Sequence, residues 1–234
     1  MFIIIILILG VSHKAMSQSI PSSPHSISII TNQMPLLETQ FKNKGLVLGN
    51  PVYIRIFKQE AELEVWIQKG EGFELFTTYP ICTFGYGGLG PKLAEGDGKA
   101  PEGFYFVKVN QLNPNSRYHL SFNLGFPNAY DRAHYRTGSA LMVHGDCVSV
   151  GCYAMTDKKI EEIYTIVDAS LSNGQAFFRV HAFPFRMNEI NMNKYKDSKW
   201  IGFWTNLKQG YDYFEKNNHN PPNVKVKNKA YIFE

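Results

Sequence analysis

Between residues 52 and 79 apolar side chains recur near alternate positions in three short runs: VYIRIF (52–57), LEVWI (63–67) and FELFTTY (73–79), divided by KQEAE and KGEG. A period close to two, with β-branched and aromatic residues enriched, predicts three strands joined as a meander. FYFVKV (104–109), YHLSF (118–122) and ALMV (140–143) carry the same signature. The period changes after residue 152. Thr156 or Asp157 can cap a run in which Ile160, Ile163, Tyr164, Val167 and Leu171 fall three or four apart, and Asn173-Gly174 stops it. AFFRVHA (176–182) predicts one more strand. Ile201, Trp204, Leu207 and Tyr211 within 198–217 predict an amphipathic helix packed on the outside. The fold class expected is α+β: a mostly antiparallel β core with one helix after Cys152 and a helical C-terminal extension.

Two internal stretches break the pattern. Residues 85–103 (GYGGLGPKLAEGDGKAPEG) are too rich in glycine and proline for a regular element, and a loop of that length inside a compact domain is a candidate functional segment. Neither a Gly-Lys-Ser/Thr nor a helical period follows its glycines, which argues against a phosphate-binding loop. Residues 125–139 (GFPNAYDRAHYRTGS) read as a polar loop holding Arg132, His134 and Arg136.

At the N-terminus, residues 2–11 form an apolar run about half as long as a bilayer-spanning helix, the length of a signal-peptide core. Ala15 and Ser17 stand at −3 and −1 of a cleavage site before Gln18. Residues 1–17 are therefore expected to direct export to the periplasm or cell envelope, the alternative being an uncleaved membrane anchor. Residues 18–45, rich in Ser, Pro, Asn and Gln with IPSSP at their start, read as a linker. A catalytic domain over 46–186 and an extension over 187–234 complete the expected organisation.

With 44% hydrophobic and 14% aromatic residues, disorder throughout is excluded. The net charge is +4, or +3 without the segment that holds Lys14, and no basic cluster interleaved with aromatics exists. Nucleic acid is not an expected partner.

The densest chemistry is HGDCVSVGC, residues 144–152, which holds two of the three cysteines. In an exported chain an odd count leaves at least one thiol unpaired. A zinc site on His144, Cys147 and Cys152 would need a distant fourth ligand such as His134 or His181, and no second cluster supplies one. A Cys147–Cys152 disulfide would close a very small loop, and a Cys82–Cys147 pair is also conceivable. Against both stands the plain reading that Cys82, in the apolar ICTF, and Cys147 are small packed residues. The remaining reading is a thiol nucleophile with its base. His144 ends an apolar strand, Cys152 follows across a short loop, and Gly151 leaves the backbone open to an approaching carbonyl, with the Cys152 N–H as an oxyanion donor.

At these residues the sequence resembles the L,D-transpeptidase catalytic domains of the YkuD type, whose mark is His-Gly followed by Ser/Thr-x-Gly-Cys. Here that reads His144-Gly145 and Ser149-Val150-Gly151-Cys152, running on as YAMTD. The β meander and KAPEGFY (99–105) extend the likeness over roughly 46–186, and AYDRAH with VHGDCVSVGCYAMTD is similar to the YafK-like branch. Two departures stand out. Many members have His where this chain has Val150, and Arg shortly after the cysteine where it has Tyr153 and Ala154; the loop between His144 and Cys152 is also short. Arg132 or Arg136, with His134, are the candidates for the missing substrate-binding charge, against the reading that they are solvated loop residues.

The resemblance implies a peptidoglycan enzyme of the L,D-transpeptidase fold that needs no metal or other cofactor. Cys152 would be the nucleophile and His144 the general base and acid. Gly151 would lie at the oxyanion region, and Ser149 or a backbone carbonyl would orient the imidazole. The thioacyl-enzyme would pass a stem peptide to an amine of a neighbouring stem or a wall-attached protein. Water in place of the amine would make a hydrolase, releasing such a protein, and a wall-binding module without activity is the non-enzymatic alternative.

Overall fold

The computed structural model describes residues 19–234; the expected signal segment, residues 1–17, lies outside the described residues. Three strands, β1 (Val52–Phe57), β2 (Glu62–Lys69) and β3 (Gly72–Pro80), form the expected meander, followed by β4 (Gly103–Val107). Short strands β5 (Leu112–Asn113), β6 (Ser121–Asn123), β7 (Met142–His144) and β8 (Tyr153–Ala154) come next, then helix α3 (Asp157–Ser172) and strand β9 (Phe178–Phe183). One sheet has the order β3-β2-β1-β9-β4, and its only parallel pair is β1 with β9. A second sheet has the order β5-β6-β7-β8, with β7 and β8 parallel. The α+β class and mainly antiparallel pairing agree with the reading of the sequence.

Strand β1 is buried at all six positions, as befits a strand covered on both faces. Val52, Ile54 and Ile56 point into a core shared with Ile160, Ile163 and Val167 of α3 and with Phe122 and Val143 of the second sheet. On the other face Phe57 packs with Phe104 and Phe183, with Trp204 and Leu207 of α5 (Ile201–Lys216), and with Tyr231. Successive residues of a strand face opposite ways, so one six-residue run ties α3 to one side of the sheet and the C-terminal extension to the other.

Residues 18–45 are not a linker: helix α1 (Pro24–Asn43) occupies most of them. Ser23 caps it through the Ser26 N–H, and Pro24 sits in the first turn, where its missing donor has no intrahelical partner to lose. Ile29, Leu37 and Phe41 lie on one face and join the core against α3, while Gln33 donates to Glu161 of α3 at 3.0 Å. The loop expected over 125–139 contains the five-residue helix α2 (Ala129–Ala133), capped by Asn128. Strand β6 begins at Ser121, three residues later than expected. The extension holds α4 (Glu189–Lys194) and α5, and closes with a hairpin of β10 (Val224–Lys227) and β11 (Ala230–Phe233) that its sequence did not announce.

Candidate active site

Strands β7 and β8 position the two chemical residues. Their parallel register pairs Val143 with Tyr153 and His144 with Ala154, which extends to place Cys152 beside Met142. The Met142 N–H reaches Cys152 Sγ at 3.4 Å. Side chains alternate along a strand, so His144 and Cys152 project from the same face of the sheet, two register positions apart on neighbouring strands. The backbone ladder thus brings together residues that the sequence separates by a loop.

Next to the histidine, the glycine is sterically demanded: a Cβ on Gly145 would lie 2.6 Å from Asp157 Oδ1 and 2.9 Å from His119 Cβ. His144 Nδ1 donates to the Gly145 carbonyl at 2.7 Å, since a carbonyl only accepts. In the neutral ring this leaves Nε2 as the basic nitrogen. The Tyr118 ring lies against the imidazole with centroids 4.7 Å apart. Burial pushes the His144 pKa below its ordinary value, and the Gly145 carbonyl and Asp146 only partly restore it. Burial also pushes the Cys152 thiol up, against the Met142 N–H and the charge of Lys92. Both shifts favour a neutral thiol beside a neutral imidazole.

Ser149 does not orient His144. Its hydroxyl donates to the Cys152 carbonyl at 2.8 Å and accepts the Gly151 N–H at 3.0 Å, closing a tight turn on the nucleophile's own loop. The Gly145 carbonyl holds the ring instead. The Gly151 N–H is engaged by Ser149, whereas the Cys152 N–H, at the thiol's own residue, has no hydrogen-bond partner among the described residues. Gly151 itself, at φ +158°, passes so near the glycine-rich loop that a Cβ would stand 3.1 Å from the Lys99 carbonyl.

Cys152 opens onto a cleft of about 460 Å³, walled also by Tyr86, Lys92 and Glu95 of that loop and by Leu141 and Val150. Buried polar groups hold the loop in shape. Lys58 Nζ meets Glu102 at 2.9 Å with both side chains fully buried, and also donates to the Gly90 and Ala100 carbonyls. The second Glu102 oxygen accepts the Trp204 indole N–H of α5 at 2.8 Å. Asp97 accepts from Lys92 and from the Leu93, Ala94 and Lys99 N–H groups. Burial acts to raise the Asp97 pKa, but these donors outweigh it and the carboxyl titrates below its ordinary value.

The three candidate substrate-binding residues lie elsewhere. Arg136 is buried, paired with Asp131 at 2.8 Å and laid over Phe203 and Tyr130. His134 stacks on Tyr130 and meets the Lys229 carbonyl at 2.8 Å, and Arg132 donates to the Pro127 carbonyl. None of them lines the cleft, because α2 folds this segment against the C-terminal extension. The cation that does line it, Lys92, was passed over in the sequence, as was Tyr118. Lys92 lay in the loop singled out by its glycines, while nothing in the sequence marked Tyr118 beyond opening a strand-like run.

The cysteines sort differently from the packing expectation. Cys82 and Cys147 form a disulfide and Cys152 is the free thiol. A sulfur held in a disulfide is not a thiolate ligand, so the His144/Cys147/Cys152 zinc set is dismantled. Among the described residues no group of three or more His, Cys, Asp and Glu side chains is arranged to hold a metal.

The family profile described as L,D-transpeptidase catalytic domain, YkuD, matches residues 51–181. A protein of Escherichia coli strain K12, provisionally named L,D-transpeptidase YafK, is 51% identical over 189 residues, 81% of this chain and 76% of the relative. Among solved structures, the helical cell shape determining protein Pgp2 from Campylobacter jejuni, as a K307A mutant, aligns over 82% of this chain and 65% of that one. Its TM-score is 0.48 and its identity 18%. Bd1075 of Bdellovibrio bacteriovorus aligns over 73% of this chain and 61% of that one, with TM-score 0.42 and 19% identity.

Proposed function

This chain belongs to the L,D-transpeptidase catalytic domain family of the YkuD type, and from that premise we propose that it is an exported cysteine acyltransferase acting on peptidoglycan stem peptides. The observation that supports the proposal is the β7–β8 register, which gives His144 and Cys152 the same face of the sheet, with Cys152 lining an open cleft and His144 buried behind it. As Cys152 Sγ attacks the carbonyl at the L-centre of the third stem residue, Nε2 of His144 takes the thiol proton. The Cys152 N–H donates to the developing oxyanion. His144 then returns the proton to the departing D-alanine amine, and a thioester remains. An amine of a neighbouring stem, or a lysine of a protein to be attached, attacks the thioester and regenerates the thiol.

Hydrolysis is the second reading, and the exposure of Val150, 78% at the rim of the cleft, favours it because water reaches the thioester as readily as an amine. It would release wall-attached protein or shorten stems with the same two residues. Mass spectrometry of muropeptides incubated with the protein separates the readings. Dimers with 3-3 links are the result expected for transfer, and monomers with cleaved amides the result expected for hydrolysis. Unchanged muropeptides that co-sediment with the protein would leave a binding module. Undiminished turnover by Cys152→Ala would sink the nucleophile assignment.

A further inference from the structure

The loop between the base and the nucleophile is exposed through its middle. Asp146, Cys147, Val148 and Val150 are exposed, and Asp146 and Cys147 stand at φ 65° and 51°, a conformation that disfavours side chains with a Cβ. The loop's second half is closed by the Ser149 turn, and two backbone donors tie its first half to the residues after β8: Asp146 N–H to Asp157 at 2.7 Å and Cys147 N–H to the Met155 carbonyl at 3.1 Å.

A third fastener comes from outside the loop. Residues 82–83 run along the edge of β8 opposite β7, with Cys82 N–H donating to the Ala154 carbonyl at 2.8 Å and Ala154 N–H to the Thr83 carbonyl at 2.9 Å. On the β7 side, Met155 N–H donates to the His144 carbonyl at 2.7 Å. The Cys82–Cys147 bond joins this outer edge to the loop across a sequence separation of 65. Strand β8, which begins one residue after the nucleophile, therefore lies inside a covalent bracket: β7 and its loop on one side, residues 82–83 on the other, sulfur closing the ring.

We propose that the Cys82–Cys147 disulfide is a positioning element of the reaction, holding Cys152 and its N–H in register with His144, so that acyl transfer depends on the cross-link. The inference rests on the reading of Cys152 as the nucleophile. The bond forms when a disulfide oxidant, protein or small molecule, accepts the two electrons and two protons of the Cys82 and Cys147 thiols and leaves as a dithiol. A phosphine reductant reverses it, taking up one oxygen from water as the two protons return to sulfur. Cys152, already reduced, is unaffected by either half-reaction when the exchange is confined to the pair. The enzyme is thereby active where disulfides persist and slack where they do not.

The test compares the wild-type protein, the phosphine-reduced wild type, Cys82→Ser, Cys147→Ser and the double variant. All are assayed with the same muropeptide at a temperature where near-ultraviolet circular dichroism shows each to be folded. A bond acting as a unit predicts that the four disulfide-free forms lose kcat together, by about tenfold or more, with KM within about twofold and no further loss in the double variant. The second-order rate of Cys152 alkylation at its own pH midpoint is expected to stay within about threefold, because the thiol remains and only its aim is lost. A folded double variant and a reduced wild type that both keep kcat within about twofold would overturn the proposal. Cys152→Ala separates the two readings. If it is inactive while the double variant is fully active, the positioning role alone fails; if it retains turnover, the nucleophile reading fails with it.

Discussion

The two walls of the cleft are built on opposite principles. On one side, Cys152 in the wall and His144 buried behind it are placed by backbone: adjacent parallel strands, one register, a tight Ser149 turn and a disulfide bracket. On the other, the glycine-rich loop has almost no ladder and is shaped by buried charged side chains, Lys58 with Glu102 and Lys92 with Asp97, tied outward to Trp204. A ladder tolerates side-chain change because every residue contributes the same donor and acceptor. A buried ion pair does not, because removing one partner strands the other's charge. The C-terminal extension belongs to the second wall: through Trp204 and Glu102 it bears on the cleft without lining it.

The largest effect that separates the walls is on stability. Glu102→Gln leaves the Lys58 ammonium buried without its counter-charge, and a loss of about 3–5 kcal/mol is expected in urea unfolding. Lys58→Met combined with Glu102→Leu should recover most of that loss while the loop, and with it muropeptide affinity, stays loosened. Equal losses in the single and double variants would show that the pair is not what shapes this wall.

The contrast also explains what the sequence could announce. Strands β1 to β3 were legible from their β-branched and aromatic runs between turn residues, helix α3 because its apolar spacing matches the face it buries, and the His-Gly with Ser-x-Gly-Cys pattern pointed at residues on the two strands that the register pairs. Helix α1 was missed because its serines and prolines read as linker composition. Yet Ser23 and Pro24 are its cap and first turn, and Ile29, Leu37 and Phe41 keep a helical spacing. The second wall was opaque for a different reason. That Lys58 meets Glu102 across 44 residues, and that Lys92 reaches the cleft beside its near neighbour Asp97, is decided by the fold, so Arg132, Arg136 and His134 attracted attention by composition while Lys92 did not. The disulfide was one of several arithmetically allowed pairings, and only the approach of residues 82–83 to β8 selects it.

A pH series tests the first wall. With the His144 pKa lowered and the Cys152 pKa raised, the neutral pair spans the interval between them, so kcat/KM should be flat from about 6.5 to about 9. It should fall below that interval as the imidazole is protonated and above it as the thiol ionises. An acid limb well below pH 6.5, set by a depressed thiol, with a basic limb set by a raised imidazolium, would point to a thiolate–imidazolium resting pair instead. Stability carries the same sign: a histidine held neutral in the fold takes up its proton more readily when unfolded. The contribution of His144, and of His181, whose pKa burial depresses strongly, is therefore complete above the unfolded value near 6.5 and is lost as pH falls below it. The urea midpoint should be lower at pH 5.5 than at pH 7.5.

The smallest effects distinguish cleft cations from those folded away. Lys92→Met, which also leaves the Asp97 carboxylate without its ammonium, should raise KM by about fivefold or more, the order of a charge contact of about 1 kcal/mol, with some loss of loop stability. Arg132→Ala, on a side chain that lies outside the cleft, should leave kcat and KM within about twofold. The reverse ranking would return substrate binding to the 125–139 segment.

The central claim is that Cys152, aligned with His144 by the β7–β8 register, becomes acylated by a stem peptide. Intact-protein mass spectrometry after brief exposure to a disaccharide-tetrapeptide, with peptide mapping of the adduct, addresses it directly. The account predicts an increment equal to the disaccharide-tripeptide acyl group on the peptide containing Cys152, absent in Cys152→Ala and strongly slowed in His144→Ala. An adduct mapped to any other residue, or full product formation by Cys152→Ala, would contradict it.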